Sequence, residues 1–181
     1  MIPKWDTVSI KELIDLKIFK AKIVRRRHPV WERESDFVVL SSLNWANVVP
    51  LTKDNKILLI EQYRQGTDSI TLEIPGGLIE EDELPIDAAY RECLEETGYK
   101  SDEKLIQTGV SLPNPAFLNN KCYSFAWFGL EPTGSQSFDL NEEIRVVPTE
   151  VEEVKKMIED GRINHSVILT AFFYFFNKYQ F

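Results

Sequence analysis

Three glutamates, Glu92, Glu95 and Glu96, fall within five consecutive residues of a stretch that reads as helix. Carboxylates gathered on one exposed helical surface repel each other, so a fold that keeps them together offsets the charge with cations. Glu92 and Glu96 are i,i+4 neighbours, and Glu95 flanks both. An oxygen-only donor set of this kind suits Mg²⁺ or Mn²⁺, hard ions that keep waters for phosphate oxygens to replace. The chemistry implied is metal-assisted. The cluster alone does not decide it, because charged helix faces are usually just solvated and Arg91 is spaced for an i,i+4 ion pair with Glu95.

The helix that carries them has clear ends. Pro85, with its fixed φ and missing N–H, suits a first helical position, and Gly98 suits the residue beyond the last turn. Ile86, Ala89, Tyr90 and Cys93 share one face and are expected to anchor the helix to a sheet. Ala88, one turn before Glu92, is expected to leave open space above the carboxylates. Upstream, Pro75 and the pair Gly76-Gly77 stop a short strand over residues 70–74. Alternation and β-branched content predict further strands over 19–23, 31–40, 46–51, 56–64, 105–110 and 122–130, with Asp54-Asn55 as a tight turn. Residues 9–16 read as a short helix. Thr149 with Glu152 forms a capping box for a helix ending at Gly161, and Ser166 caps a last helix with an apolar stripe of Ile168, Phe172, Phe175 and Phe176. Strands dominate the first two thirds of the chain. That order predicts an α/β fold, a mixed sheet covered by helices on both faces.

The 181 residues suit one compact domain with a small appended element, and 43% apolar residues supply a sizeable core. A net charge of −8 disfavours long-range attraction to nucleic acid or an anionic membrane, although divalent cations can still mediate contact with a phosphorylated substrate. The two cysteines, Cys93 and Cys122, lie in apolar stretches with no CxxC pair and read as reduced core residues. The first residues lack the apolar core of a signal peptide. The longest apolar run, residues 167–176, is about half the ~20 residues a membrane-spanning helix needs. The expectation is a soluble, cytoplasmic protein with neither nucleic acid nor membrane as partner.

Residues 77–99 read GLIEEDELPIDAAYRECLEETGY. The spacing is a glycine, five residues, Glu, seven residues, then Arg-Glu-apolar-x-Glu-Glu-x-Gly-apolar, and it resembles the Nudix box. The matching positions are Gly77, Glu83, Arg91, Glu92, Cys93, Glu95, Glu96, Gly98 and Tyr99. Cys93 and Tyr99 stand where aliphatic residues are usual, and both are apolar enough to pack. The resemblance implies a Nudix α/β/α sandwich with a mixed central sheet, plus an N-terminal antiparallel sheet. Residues 1–45 would then be a dimerisation region and 46–181 the catalytic domain. It also implies a hydrolase that brings water to a phosphorus of a nucleoside diphosphate linked to another group. Glu92 and Glu96 would be direct metal ligands, Glu95 would lie beside them in the metal cluster, and the backbone carbonyl of Gly76 would complete the site. Glu83 and Arg91 would hold loop and helix in register, with Gly77 shaping the turn and Gly98 ending the helix. About two or three Mg²⁺ ions, or Mn²⁺ in their place, would neutralise the diphosphate and lower the pKa of the attacking water.

Flanking segments narrow the branch. EQYRQG at 61–66 and LEIPGG at 72–77 resemble enzymes that cleave ADP-ribose and other nucleoside diphosphate sugars to a nucleoside monophosphate and a sugar phosphate. NEEIRVV at 141–147 resembles that branch's catalytic loop, which makes Glu142 the best match for the general base and Glu143 the next; Glu95 or Glu92 could serve instead. Arg64 would contact a phosphate or the terminal sugar, and Glu73 a sugar hydroxyl. Trp31 and Trp45 are candidates to stack on the base, against a background in which most tryptophans simply pack. The run Arg25-Arg26-Arg27-His28 could touch phosphate or merely be a solvated turn. Asn119 and Asn120 follow Pro113-Asn114-Pro115 in a loop suited to sugar hydroxyls. In this branch the N-terminal region commonly crosses to the partner subunit of a homodimer. The alternatives are a hydrolase of dinucleoside polyphosphates or nucleoside triphosphates, and a non-catalytic ligand sensor.

Overall fold

In a computed structural model of the chain, residues 1–134, 136–137 and 143–181 are described. Two units separate, one of Met1–Leu43 with Leu112–Lys121, the other of Asn44–Ser111 with Cys122–Phe181.

The first unit is an antiparallel sheet of β1 (Asp6–Asp15), β2 (Lys20–Arg27) and β3 (Glu34–Ser41), in that order. Residues 9–16, expected as a helix, are instead mostly strand. Ile10, Leu13 and Ile14 do fall at helical spacing, but β1 pairs with β2 from Asp6 opposite Arg27 to Asp15 opposite Lys20. Irregularities between Thr7 and Ser9 and between Glu12 and Ile14 absorb the mismatch in period. Cross-strand partners therefore override a local pattern whose apolar residues stay exposed. Opposite charges face each other between β2 and β3, Arg25 with Asp36 and Arg27 with Glu34.

The second unit is built on β4 (Trp45–Thr52) and β5 (Lys56–Arg64), joined through Asn55 at positive φ. Their near-continuous apolar runs mark strands covered on both faces. The sheet order is β11-β5-β4-β10-β8, where β8 is Tyr99–Lys100, β10 Cys122–Pro132 and β11 Ile144–Glu150. β6 (Ser69–Glu73) adds to β5, β7 (Gly76–Leu78) to β4 and β9 (Ile106–Ser111) to β10. β10 runs parallel to β4 and the other ladders are antiparallel, so the sheet is mixed as expected.

Alternation along the strands divides two cores. Ala46, Val48 and Leu58 lie with Phe125 and Trp127 beneath α1 (Pro85–Thr97). Val49, Leu51, Ile57 and Leu59 lie on the other face, under α2 (Val151–Glu159) and α3 (Ser166–Lys178). Full burial of each such side chain contributes about 1.5–3 kcal/mol. The stripe of α3 is as expected, with Ile168, Phe172 and Phe175 buried and Phe176 packed against them.

Helix α1 starts at Pro85 and stops at Gly98, whose left-handed φ of 68° lets its N–H reach the Leu94 carbonyl at 2.8 Å. Its anchoring face differs from the expected stripe. Ile86 and Tyr90 are each 40% exposed, while Ala88, Ala89 and Cys93 are fully buried. Ala88 therefore packs into the core and opens no space above the carboxylates. The sheet approaches closest where the side chains are smallest.

The expected caps also move. α2 begins at Val151 with Glu150 as N-cap and no side-chain cap, while the Thr149 hydroxyl donates back to the Val147 carbonyl at 2.9 Å. α3 has His165 rather than Ser166 at its N-cap. Among the described residues, no helix is long and apolar enough to cross a membrane.

Candidate metal and diphosphate site

The close approach of β7 to β4 explains the first glycine. A Cβ on Gly76 would lie 2.7 Å from the Asn47 Cα and collide with the Ala46 carbonyl. Only hydrogen fits between the two backbones. The second glycine faces the helix, and a Cβ on Gly77 would occupy the place of the Glu92 carboxylate. The turn thus forms a cradle for that carboxylate.

Arg91 holds the cradle shut. Its Nε and Nη2 donate to the two oxygens of Glu83 at 2.9 and 3.0 Å, and Nη2 donates also to the Leu78 carbonyl at 3.1 Å. Nη1 donates to Glu92 at 2.8 Å and to Glu95 at 3.3 Å. Five donors thus meet five acceptors, the full capacity of a guanidinium. The hydrogen bonds from Arg91 hold the Glu83 carboxyl below the usual range, and Glu83 in turn raises the Arg91 pKa further. Glu83 also accepts the Glu80 N–H at 2.9 Å, which fixes the loop before the helix.

Glu96 departs from the expected exposed surface. It is 3% exposed and takes the Gly76 N–H at 2.9 Å, so its carboxylate lies under the glycine loop and not in solvent. Glu92 is largely covered and Glu95 is partly open. The last turn of α1 is closed by residues far along the chain. Gln136 Nε2 donates to the Glu96 carbonyl at 2.7 Å, the Ser137 N–H to the Glu95 carbonyl at 3.0 Å, and the Thr133 N–H to the Gly98 carbonyl at 2.7 Å.

Gly76, Glu92, Glu95 and Glu96 are therefore gathered at one glycine turn and helix. Their oxygen-only chemistry fits a hard divalent cation. Arg91 faces both Glu92 and Glu95, and among the described residues no group of three acidic, His or Cys side chains is set at metal-ligand positions.

The other expected residues are more scattered. Arg64 and Glu73 meet each other: Arg64 Nε and Nη2 reach the two Glu73 oxygens at 2.7 and 2.8 Å. Thr71 Oγ1 adds a 2.7 Å bond and His165 Nδ1 one of 3.0 Å. Burial, with Glu73 2% exposed, would raise its pKa, but the bonds from Arg64, His165 and Thr71 prevail and hold it well below the carboxylate range. All four lone-pair directions of the carboxylate are taken, which leaves none for the expected sugar hydroxyl.

Trp45 packs against the α2–α3 core at the start of β4. Trp31 is exposed and lies in the first unit, stacked on His28 at 4.0 Å with Arg33 over its ring. Arg25 and Arg27 are strand residues on acidic partners, not a solvated turn. Asn119 and Asn120 bond within the first unit, to Ser41 and to the Leu43 carbonyl. Glu143 is exposed just before β11, and Glu142 lies outside the described residues. His165 was not foreseen. The available signal was Glu73 itself, a carboxylate in an apolar strand that must find partners.

Known proteins resemble this chain in family and in fold. The profile of the NUDIX domain matches residues 44–172. The chain is 32% identical over 127 residues to a methanol dehydrogenase activator of Bacillus methanolicus, covering 68% of this chain and 67% of that protein. It is 28% identical over 117 residues to an ADP-ribose pyrophosphatase of Bacillus subtilis, covering 64% and 63%. The matches thus span about two thirds of each relative. A solved structure of an ADP compounds hydrolase superposes with a TM-score of 0.83 over 96% of this chain and 93% of that one, and at 21% identity the likeness is one of fold.

A carboxylate kept ionised in the fold stabilises it above its unfolded-state pKa, about 4.3, and that contribution drains away as acid protonates it. The destabilisation caused by Glu73→Gln should therefore be full near neutrality and shrink as pH falls below about 4. Urea unfolding of both proteins across that range measures it; a pH-independent difference would refute the ionised, bonded state of Glu73.

Proposed function

The chain belongs to the NUDIX domain family, and on that premise we propose that it is a divalent-cation-dependent pyrophosphohydrolase of ADP-ribose or related nucleoside diphosphate sugars. The observation that carries the reading is the acidic helix locked to the glycine turn, with Arg91 spanning Glu83, Glu92 and Glu95 while Glu96 holds the Gly76 amide. The names of the Bacillus subtilis relative and of the superposed structure support the substrate class.

In this proposal Glu92, Glu96 and the Gly76 carbonyl hold Mg²⁺ or Mn²⁺, about two or three ions, with Glu95 beside them. Bound there, the metal would neutralise the diphosphate and acidify water. The water oxygen forms a new bond to one phosphorus as the bridging P–O bond breaks, releasing a nucleoside monophosphate and a sugar phosphate. Glu142 takes the proton from that water, with Glu143 and Glu95 as the other candidates. The residues flanking Glu142 favour it: Gln136 and Ser137 are tied to the last turn of α1, and Ile144 opens β11 beside β5.

Arg64 would meet the diphosphate or the terminal sugar, and Trp31, Trp45 and Asn119 remain the candidates for the nucleoside. A homodimer through the N-terminal sheet is part of the proposal. It is supported by the exposed Val8, Ile10, Leu13 and Ile14 on β1. A cytoplasmic location fits the two free, buried thiols.

Glu96→Gln should abolish Mg²⁺-dependent release of AMP from ADP-ribose while the circular dichroism spectrum stays unchanged; near-normal turnover would sink the metal assignment. Glu142→Gln should lower kcat by about 10²–10⁴ with little effect on KM, and a change confined to KM would make Glu142 a binding residue. Light scattering should give twice the 21.0 kDa of one chain, and a monomer mass at working concentration would remove the dimer.

A further inference from the structure

Two flanking motifs each hold a charged residue that the site has not used, Glu61 in EQYRQG and Arg145 in NEEIRVV. The fold brings them together. Arg145 stands opposite Glu61 in the ladder of β5 and β11, donates from Nε to one carboxylate oxygen at 2.7 Å and sets Nη2 against the other. A two-point fork of this kind fixes geometry as well as charge. The Arg145 side chain is 69% exposed, so the pair adds little stability. Its consequence lies in register.

The ladder carries a charged pair at its other end too, where Lys56 lies opposite Glu150 with Nζ 3.8 Å from the carboxylate. In chain order each strand runs from a cation to an anion, so the antiparallel partners match at both ends. A slip by one residue is opposed by burial, since Val146 packs in the core beneath α1 and Val147 against the other core. A slip by two keeps every side chain on its own face. It would set Arg145 opposite Leu59 or Tyr63 and Glu150 opposite Asp54 or Leu58, and neither pair would survive. The charges therefore exclude the alternative that the apolar pattern permits.

This register decides where β11 begins. β4 and β5 pair antiparallel at Leu51 opposite Ile57, so the start of β4 and the end of β5 lie at one end of the sheet. Gly76, whose N–H holds Glu96, is opposite Asn47 near the start of β4. Ile144 is opposite Gln62 near the end of β5. The first residue of β11 thus lies at the end of the sheet that bears the glycine turn. Ile144 is buried there, and Glu143 is exposed just before it. A slip by two residues would displace that point by about 7 Å, whereas a misplacement of about 1 Å already costs up to about 10²-fold in rate.

We propose that Glu61 and Arg145 are positioning residues for catalysis, which lock β11 to β5 in one register and so set where the candidate bases Glu142 and Glu143 join the sheet. Both act through the backbone of β11. The inference rests on the pyrophosphohydrolase reading and adds to it the pair that places its base.

The test uses Glu61→Ala, Arg145→Ala and the exchanged pair Glu61→Arg with Arg145→Glu. With saturating Mg²⁺, each single variant should lower kcat for AMP release from ADP-ribose about tenfold or more, with KM little changed. Mn²⁺ binding followed by electron paramagnetic resonance should stay at the wild-type level, because the metal turn is untouched. The exchanged pair restores the fork with its polarity reversed and should regain most of the lost kcat. An unchanged kcat in the single variants, an exchanged pair as slow as they are, or a parallel loss of Mn²⁺ binding would each overturn the positioning role and leave the enzyme reading intact. A wild-type protein that releases no AMP from ADP-ribose overturns that reading first, and the positioning role with it.

Discussion

The guanidinium of Arg91 is the constraint on which the rest of the site depends. It touches the glycine strand, the loop before the helix and two of the three helix carboxylates. Without a cation at that point Glu83, Glu92 and Glu95 would repel one another and the turn would open. A lysine could neutralise the same charge, but a single ammonium cannot aim five donors in a plane. The site is therefore built around a directional cation, and the glycines on either side let backbone and carboxylate approach it closely.

That arrangement needs a helix held at a fixed height above the sheet. Ala88, Ala89 and Cys93 provide it, since small side chains let α1 sit close to Val48, Leu58 and Phe125. Its C-terminal carbonyls are satisfied by Thr133, Gln136 and Ser137, so the chain leaving β10 is drawn to the end of the acidic helix. Helix termination, which looks like a local matter at Gly98, thus also involves residues more than thirty positions further along the chain.

Glu73 repeats the logic with the charges exchanged. There a buried anion directs a guanidinium and an imidazole, and the stability lost by burying it is offset by four hydrogen bonds. One assembly is organised by a cation and the other by an anion. In the first unit the charges of β2 and β3 face each other at the surface, where they select register and contribute little stability.

Much of this was legible in residue order. The strands around β4 and β5, the start of α1 at Pro85, its stop at Gly98 and the box spacing all depend on periods and turn preferences that act over a few residues. The same local reading failed for β1, whose helical spacing lost to a partner strand, and for Ile86 and Tyr90, since which stripe of a helix is buried depends on what lies beneath it. The caps at Thr149 and Ser166 failed because a backbone one residue off its expected phase takes the hydroxyl out of reach. By itself, the sequence determined which residues could do the chemistry, because carboxylate spacing on a helix is a local property. Only the tertiary structure decided that Glu96 is buried under Gly76, that Glu73 braces Arg64 and that His165 joins them. Those contacts link residues up to 92 positions apart, and no period in a chain encodes a meeting between separate elements.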